Sequence, residues 1–123
     1  MKLHASVTAG LMTITAYDAG YVAVNGRKLT RSFLLTPRSL NEEWPASSIE
    51  TLGPEHIAAI AALESPIVLL GTGARQRFPS AAVLRPLIER RVGVEIMDTH
   101  AACRTYNILM AEGRDVAAAL IIE

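Results

Sequence analysis

Between Met12 and Leu35 the chain carries short apolar bursts separated by turn formers. Met12-Thr13-Ile14-Thr15-Ala16 alternates, Asp18-Ala19-Gly20 can turn, and Tyr21-Val22-Ala23-Val24 resumes the strand pattern. Asn25-Gly26 comes next, a pair that suits the positive φ angles of a type I′ turn. A hairpin is therefore predicted into Lys28-Leu29 and on to Phe33-Leu34-Leu35, which makes the first third an antiparallel β unit. Thr36 to Gly53 contains Pro37, Pro45, Ser39, Ser47 and Ser48 with little periodicity and reads as a long irregular surface connection. Trp44 lies in that connection, either as an anchor that pins it to the domain or as an exposed contact for a partner.

The period then changes. Pro54 suits the first turn of a helix, and Ile57, Ile60, Ala61 and Leu63 or Glu64 follow at spacings of three and four. Pro66-Ile67-Val68-Leu69-Leu70 is an unbroken apolar run ending in Gly71-Thr72-Gly73, the pattern of a strand covered on both faces. Ser80 to Arg91 sets Val83, Leu84, Leu87 and Ile88 on one side, with Pro86 requiring a kink or a late start. Val92 to Met97 is the next strand, Thr99 to Glu112 the third helix with Ala102, Tyr106, Leu109 and Met110 on its apolar face, and Gly113 its left-handed cap. Val116 to Ile122 closes the chain as a strand. Alternating helices and strands in this half favour parallel strands with right-handed crossovers, so the expected class is α/β with a βαβαβ C-terminal half.

At 123 residues the chain suits one domain, 1–123, with one core. Half of it is hydrophobic but only 5% is aromatic, so that core must be aliphatic. Twelve basic and twelve acidic side chains cancel, which removes the global field that nucleic acid binding would use. The ten arginines against two lysines allow bidentate anion recognition but do not require it. Cys103 is the single cysteine, so no intrachain disulfide forms and a reducing compartment fits. Met1-Lys2-Leu3-His4-Ala5-Ser6 leads into no apolar stretch of signal-peptide length, and a cytoplasmic location is expected.

Candidate chemistry gathers at two turns. Gly71-Thr72-Gly73-Ala74-Arg75 leaves the carboxyl end of a buried strand, where ligands collect in open α/β sheets, and its glycines let backbone N–H groups approach an anion with Arg75 or Arg77 adding charge. The third glycine of a dinucleotide fingerprint is absent at Gln76, and so is the Gly-Lys-Ser/Thr ending of a P-loop. Asp98-Thr99 occupies the matching place after the next strand, and His100, Arg104 and Asn107 stand three or four apart on the following helix. A polar pocket built from Gly71, Thr72, Gly73, Asp98, Thr99, Arg104 and Asn107 is one reading. The other is a set of caps and internal pairs that locks the helix in place. Cys103 with His100 is a weak nucleophile candidate, because small cysteines in alanine-rich helices belong to cores. His4 and His56 show no ligand spacing with that pair, so no metal is expected. No catalytic residue and no cofactor are nominated.

The stretch from Met97-Asp98-Thr99-His100-Ala101-Ala102-Cys103-Arg104-Thr105-Tyr106-Asn107 through Glu112-Gly113-Arg114 to Leu120 resembles the Mth-domain family of small α/β proteins, which includes mitochondrial respiratory complex I assembly factors of the third type. Gly71-Thr72-Gly73, Gly20-Tyr21, Asn25-Gly26 and Trp44 match in the same order. The resemblance implies a three-layer fold with a mixed β-sheet, and protein-binding assembly work with peripheral association to membrane-protein assemblies. The expected function is a non-enzymatic interaction or assembly module with a protein partner. The alternative is a small-anion-binding protein or hydrolase using the cleft between Gly71–Arg75 and Asp98–Asn107.

Overall fold

Strand alternation decides how this chain layers. The computed structural model describes residues 10–123, so the reading of Met1–Ser6 and His4 lies outside it. Strands β1 (Ile14–Asp18), β2 (Tyr21–Val24) and β3 (Arg27–Leu29) form an antiparallel sheet in that order. Asn25 and Gly26 take φ 49° and 84° between β2 and β3, with Val24 opposite Arg27, as the Asn-Gly hairpin requires. The hairpin unit is thus present, but it ends at Leu29. Strand β4 (Phe33–Thr36) leaves it for a second, five-stranded sheet, where it pairs antiparallel with β8 (Val116–Leu120). The reason is burial: Phe33, Leu34 and Leu35 are all inaccessible, which demands cover on both faces of the strand.

The second sheet runs β5-β4-β8-β6-β7, with β5 at Ser39–Asn41, β6 at Ile67–Gly71 and β7 at Gly93–Met97. The connection expected to be irregular from Thr36 onward therefore begins with a short strand, β5, held to β4 by the pairs Leu35–Leu40 and Thr36–Ser39. Beyond β5 it is irregular up to a 3-10 turn at Ile49–Thr51. Strand β6 is parallel to both β7 and β8, as the βαβαβ reading requires.

Each face of this sheet has its own core. Leu34, Val68, Leu70, Ala117 and Ala119 meet helices α1 (Pro54–Ala61) and α2 (Ala81–Glu89) through Ile57, Ile60, Leu84 and Leu87. Phe33, Leu35, Leu69, Val116, Ala118 and Leu120 meet Ala102, Cys103, Tyr106 and Met110 of α3 (Thr99–Ala111), together with Val22, Val24 and Leu29 of the small sheet. The result is three layers: α1 and α2, the mixed sheet, and α3 beside the β1–β3 sheet. Alanines at 117, 118 and 119 are poor strand formers in isolation. They serve here because β8 is sandwiched, and small side chains let cover approach from both sides.

Pro86 lies inside α2, which begins at Ala81 with Ser80 as its cap, so the helix does not start late. Gly113, at φ 80°, ends α3: its N–H reaches the Met110 carbonyl and that of Arg114 the Leu109 carbonyl, a Schellman pattern. Trp44 is 2% exposed, and its Nε1 donates to the His56 carbonyl at 3.1 Å. Its reading as an exposed partner contact is therefore corrected: the indole fills the α1 side of the core and ties the irregular connection to the start of α1. Ala118 is fully buried in the middle of β8. Ala118→Leu should cost about 1–3 kcal/mol through overpacking, seen as a lower urea midpoint at an unchanged slope.

Candidate functional site

Strand β6 runs parallel to β7 on one side and β8 on the other, and the helices that make the two connections, α2 and α3, lie on opposite faces. The carboxyl end of β6 is therefore a topological switch point, the place where open α/β sheets bind ligands. Gly71-Thr72-Gly73 occupies it.

The polar groups there bind one another. Thr99 Oγ1 accepts from the Gly73 N–H at 2.8 Å and donates to the Ile121 carbonyl at 2.7 Å, while the Thr99 N–H donates to the Gly73 carbonyl at 2.9 Å. Thr72 donates its N–H to the Met97 carbonyl and its hydroxyl to the Arg75 carbonyl, and accepts from the Arg77 N–H. Both threonines are buried. A Cβ at Gly71 would sit 3.0 Å from Thr99 Cα and Oγ1 and from Leu120 Cδ2, so only glycine lets α3 start this close to β6. Gly73 has φ 98°, and a Cβ on it would run into the Glu123 carboxylate. Arg77 bridges that carboxylate to Glu50 at the 3-10 turn.

The rest of the expected set lies elsewhere. Asp98 caps α3, its carboxylate accepting from the Ala101 N–H at 2.9 Å. Arg75 is exposed. The stripe of His100, Arg104 and Asn107 faces β1; Arg104 and Asn107 lie away from the glycine turn, while His100, at its head, also borders it. Asn107 accepts from the Ile14 N–H at 3.0 Å and donates to the Ile14 carbonyl at 2.7 Å, acting as a substitute strand neighbour. Arg104 donates to the Tyr17 hydroxyl, which raises the guanidinium pKa above its ordinary value, and His100 Nε2 lies 3.1 Å from the Asp18 carbonyl. Seven helical residues rise about 10 Å and four strand residues about 13 Å, so a stripe with this spacing can run along β1. The cleft expected between Gly71–Arg75 and Asp98–Asn107 is corrected on this point: Gly71, Thr72, Gly73 and Thr99 meet, but the Thr72 and Gly73 amides and both threonine hydroxyls are bonded internally, and Arg104 and Asn107 serve the β1 contact.

A shallow cleft of about 230 Å³ does open beside the turn, walled by Gly73, Ala74, Thr99 and His100 on one side and the β1–β2 turn, Asp18–Tyr21, on the other, with Glu123 at its rim. The β1–β2 turn was not legible as a wall, because no local pattern brings it to α3. Among the described residues no cluster of His, Cys, Asp and Glu is arranged to hold a metal. Cys103 is buried under α3, where loss of solvation pushes its thiol up to about 12. Burial likewise raises the Tyr106 phenol, whose hydroxyl donates to the Met12 carbonyl.

Residues 14–121 match the model of a family described as a protein of unknown function (DUF498/DUF598). The chain belongs to this family. A Bos taurus protein named NADH dehydrogenase (ubiquinone) 1 alpha subcomplex assembly factor 3 is 36% identical over 112 residues, 89% of this chain and 60% of that one. The chain thus spans about three-fifths of the length of that relative. A crystal structure from Bordetella parapertussis has a TM-score of 0.87 at 39% identity, covering 94% of this chain and 98% of its own. A Bordetella pertussis protein described as a Mth938-like domain has a TM-score of 0.83 at 34% identity, covering 99% and 92%. The resemblance of the Met97–Asn107 stretch to the Mth-domain family holds, and the three-layer fold is that of its members.

Thr99→Val, which keeps shape and removes the hydroxyl, strands the Gly73 N–H and the Ile121 carbonyl. Stability should fall by about 1–3 kcal/mol for each group, whereas Arg75→Ala should stay within about 0.5 kcal/mol, both read from urea denaturation. Iodoacetamide near pH 8 should leave Cys103 unmodified in the folded chain and alkylate it in denaturant, as the mass of the chain will report.

Proposed function

We propose that this chain is a non-enzymatic protein-interaction module that acts in the assembly of a respiratory complex, in the cytoplasm and at the periphery of a membrane-protein assembly. The observation that carries this reading is the state of the switch point. Where a ligand-binding α/β protein would present free N–H groups, Gly73 and Thr72 have theirs committed to Thr99 and Met97. These two amides could turn to an anion only by breaking the contacts that hold the turn to β7 and to the start of α3.

The relatives support the same direction, since the bovine protein that matches 89% of this chain carries the name of an assembly factor for NADH dehydrogenase. No helix among the described residues is long and apolar enough to cross a membrane. The single thiol is buried and its proton tightly held, which counts against Cys103 as a nucleophile.

The test is capture from the native cell with mild crosslinking, followed by mass spectrometry. Subunits of an NADH dehydrogenase of the complex I type should be recovered in stoichiometric amounts. A chain that captures no protein, and whose thermal stability rises with an anionic metabolite in a manner abolished by Thr99→Val or Arg75→Ala in a folded variant, would overturn the reading in favour of a small-molecule site.

A further inference from the structure

Among the described residues β7 pairs on one side only, with β6. The Thr72 N–H reaches the Met97 carbonyl and the Gly93 N–H that of Pro66. In a parallel ladder the backbone groups of alternate residues turn to the same side. Those of Gly93, Glu95 and Met97 therefore address β6, and those of Val94 and Ile96 address the open edge. One of these is covered: Gln76 Nε2, from the loop leaving β6, donates to the Ile96 carbonyl at 2.8 Å. Both N–H groups and the Val94 carbonyl remain for a partner.

The charge around this edge is uneven. Residues 74–91 hold five arginines (75, 77, 85, 90 and 91) against one acid, Glu89, a net of +4 in a chain whose total is zero. Arg77 is engaged by Glu50 and Glu123. Arg75, Arg85, Arg90 and Arg91 are exposed. Arg90 and Arg91 lead directly into β7, and Arg75 precedes Gln76 at its exit, so cations bracket the strand. Phe78, two residues past Gln76, is 70% exposed. At the centre of the strand stands an acid, Glu95.

We propose that the open edge of β7 docks an extended peptide segment of a protein partner that is apolar at its centre and acidic at both ends. The segment adds as a strand along Val94–Ile96 and displaces Gln76 from the Ile96 carbonyl. Its acids meet Arg75 at one end and Arg90 and Arg91 at the other. The inference rests on the interaction-module reading and gives it a surface. A second copy of this chain fits poorly: antiparallel pairing centred on β7 would set Glu95 against Glu95 and one arginine end against the other. Lipid and RNA supply negative charge but no row of amides and carbonyls at strand spacing, which is what the edge lacks.

The probe is a synthetic peptide, acetyl-DEVTVTVED-amide, titrated into the isotope-labelled chain and followed by amide NMR, with a control in which every acid is lysine. The Val94 and Ile96 amides should shift and become protected from exchange, and the acidic peptide should bind at least about tenfold more tightly than the control. Val94→Pro, which removes an edge donor and spares the β6 ladder, should abolish binding. Arg90→Glu with Arg91→Glu should invert the charge preference; this pair alters only exposed side chains and decides the matter if the proline variant does not fold. Equal binding of both peptides, or shifts confined to another face, overturns the proposal, as does response of these amides to phosphatidylglycerol vesicles or poly(U) RNA but not to peptide. If captured partners are retained by both variants, the edge is wrong while the interaction reading stands; an empty capture removes the reading itself.

Discussion

The hydroxyl of Thr99 sits where four elements converge. It holds the Thr72–Gly73 peptide of the turn after β6 and the residue that follows β8, while the amide of the same residue returns to the Gly73 carbonyl at the head of α3. Each of these groups is inaccessible to water, so losing the hydroxyl would leave two backbone groups without partners in a region that water cannot reach. The packing depends on a neighbour with no side chain. Gly71 gives Thr99 Cα and Oγ1 room that a Cβ would take, and Leu120 closes the same gap from β8. With α3 fixed at its start, its stripe of His100, Arg104 and Asn107 falls along β1, and the small sheet is thereby attached to the large one.

What could be read from the residues follows the range over which each interaction acts. The Asn25-Gly26 turn, the Asp98 cap and the Gly113 terminator are settled within a few residues, and each takes the conformation its chemistry demands. The parallel β6–β7–β8 ladder follows from the alternation of helices and strands. The departure of β4 from the hairpin does not follow from local pattern. Phe33-Leu34-Leu35 looks the same whether it extends a meander or enters a new sheet, and its partner β8 lies at the far end of the chain. Strand β5 is missed for the opposite reason: with three residues, two of them polar, it has no alternation to detect.

The site was legible in the same partial way. Spacing identifies 100, 104 and 107 as one face of a helix, but not the element that face meets. Asn107 bonds Ile14 across 93 positions of sequence, and nothing near either residue announces the other. Polar side chains that converge near glycines at a switch point suggest a ligand pocket when their partners are unknown. Once the partners are counted, the same residues make an internal joint. Trp44 shows the complementary error, since a lone aromatic in an irregular connection has the composition of a contact residue and the burial of a core one.

At the switch point the threonine hydroxyls and the Gly73 amide serve one another, which directs attention to the perimeter for specificity. The chain is neutral as a whole, yet five of its ten arginines lie in the segment 74–91 beside the β7 edge, which pairs on one side only among the described residues. An open edge is a hazard, because it invites pairing with any extended chain. Here Gln76 covers one carbonyl and Glu95 places a charge at mid-strand, which discourages self-pairing while leaving the flanking cations available. Restraint against indiscriminate pairing and selectivity for an acidic segment then come from the same few side chains, as a specific interface requires.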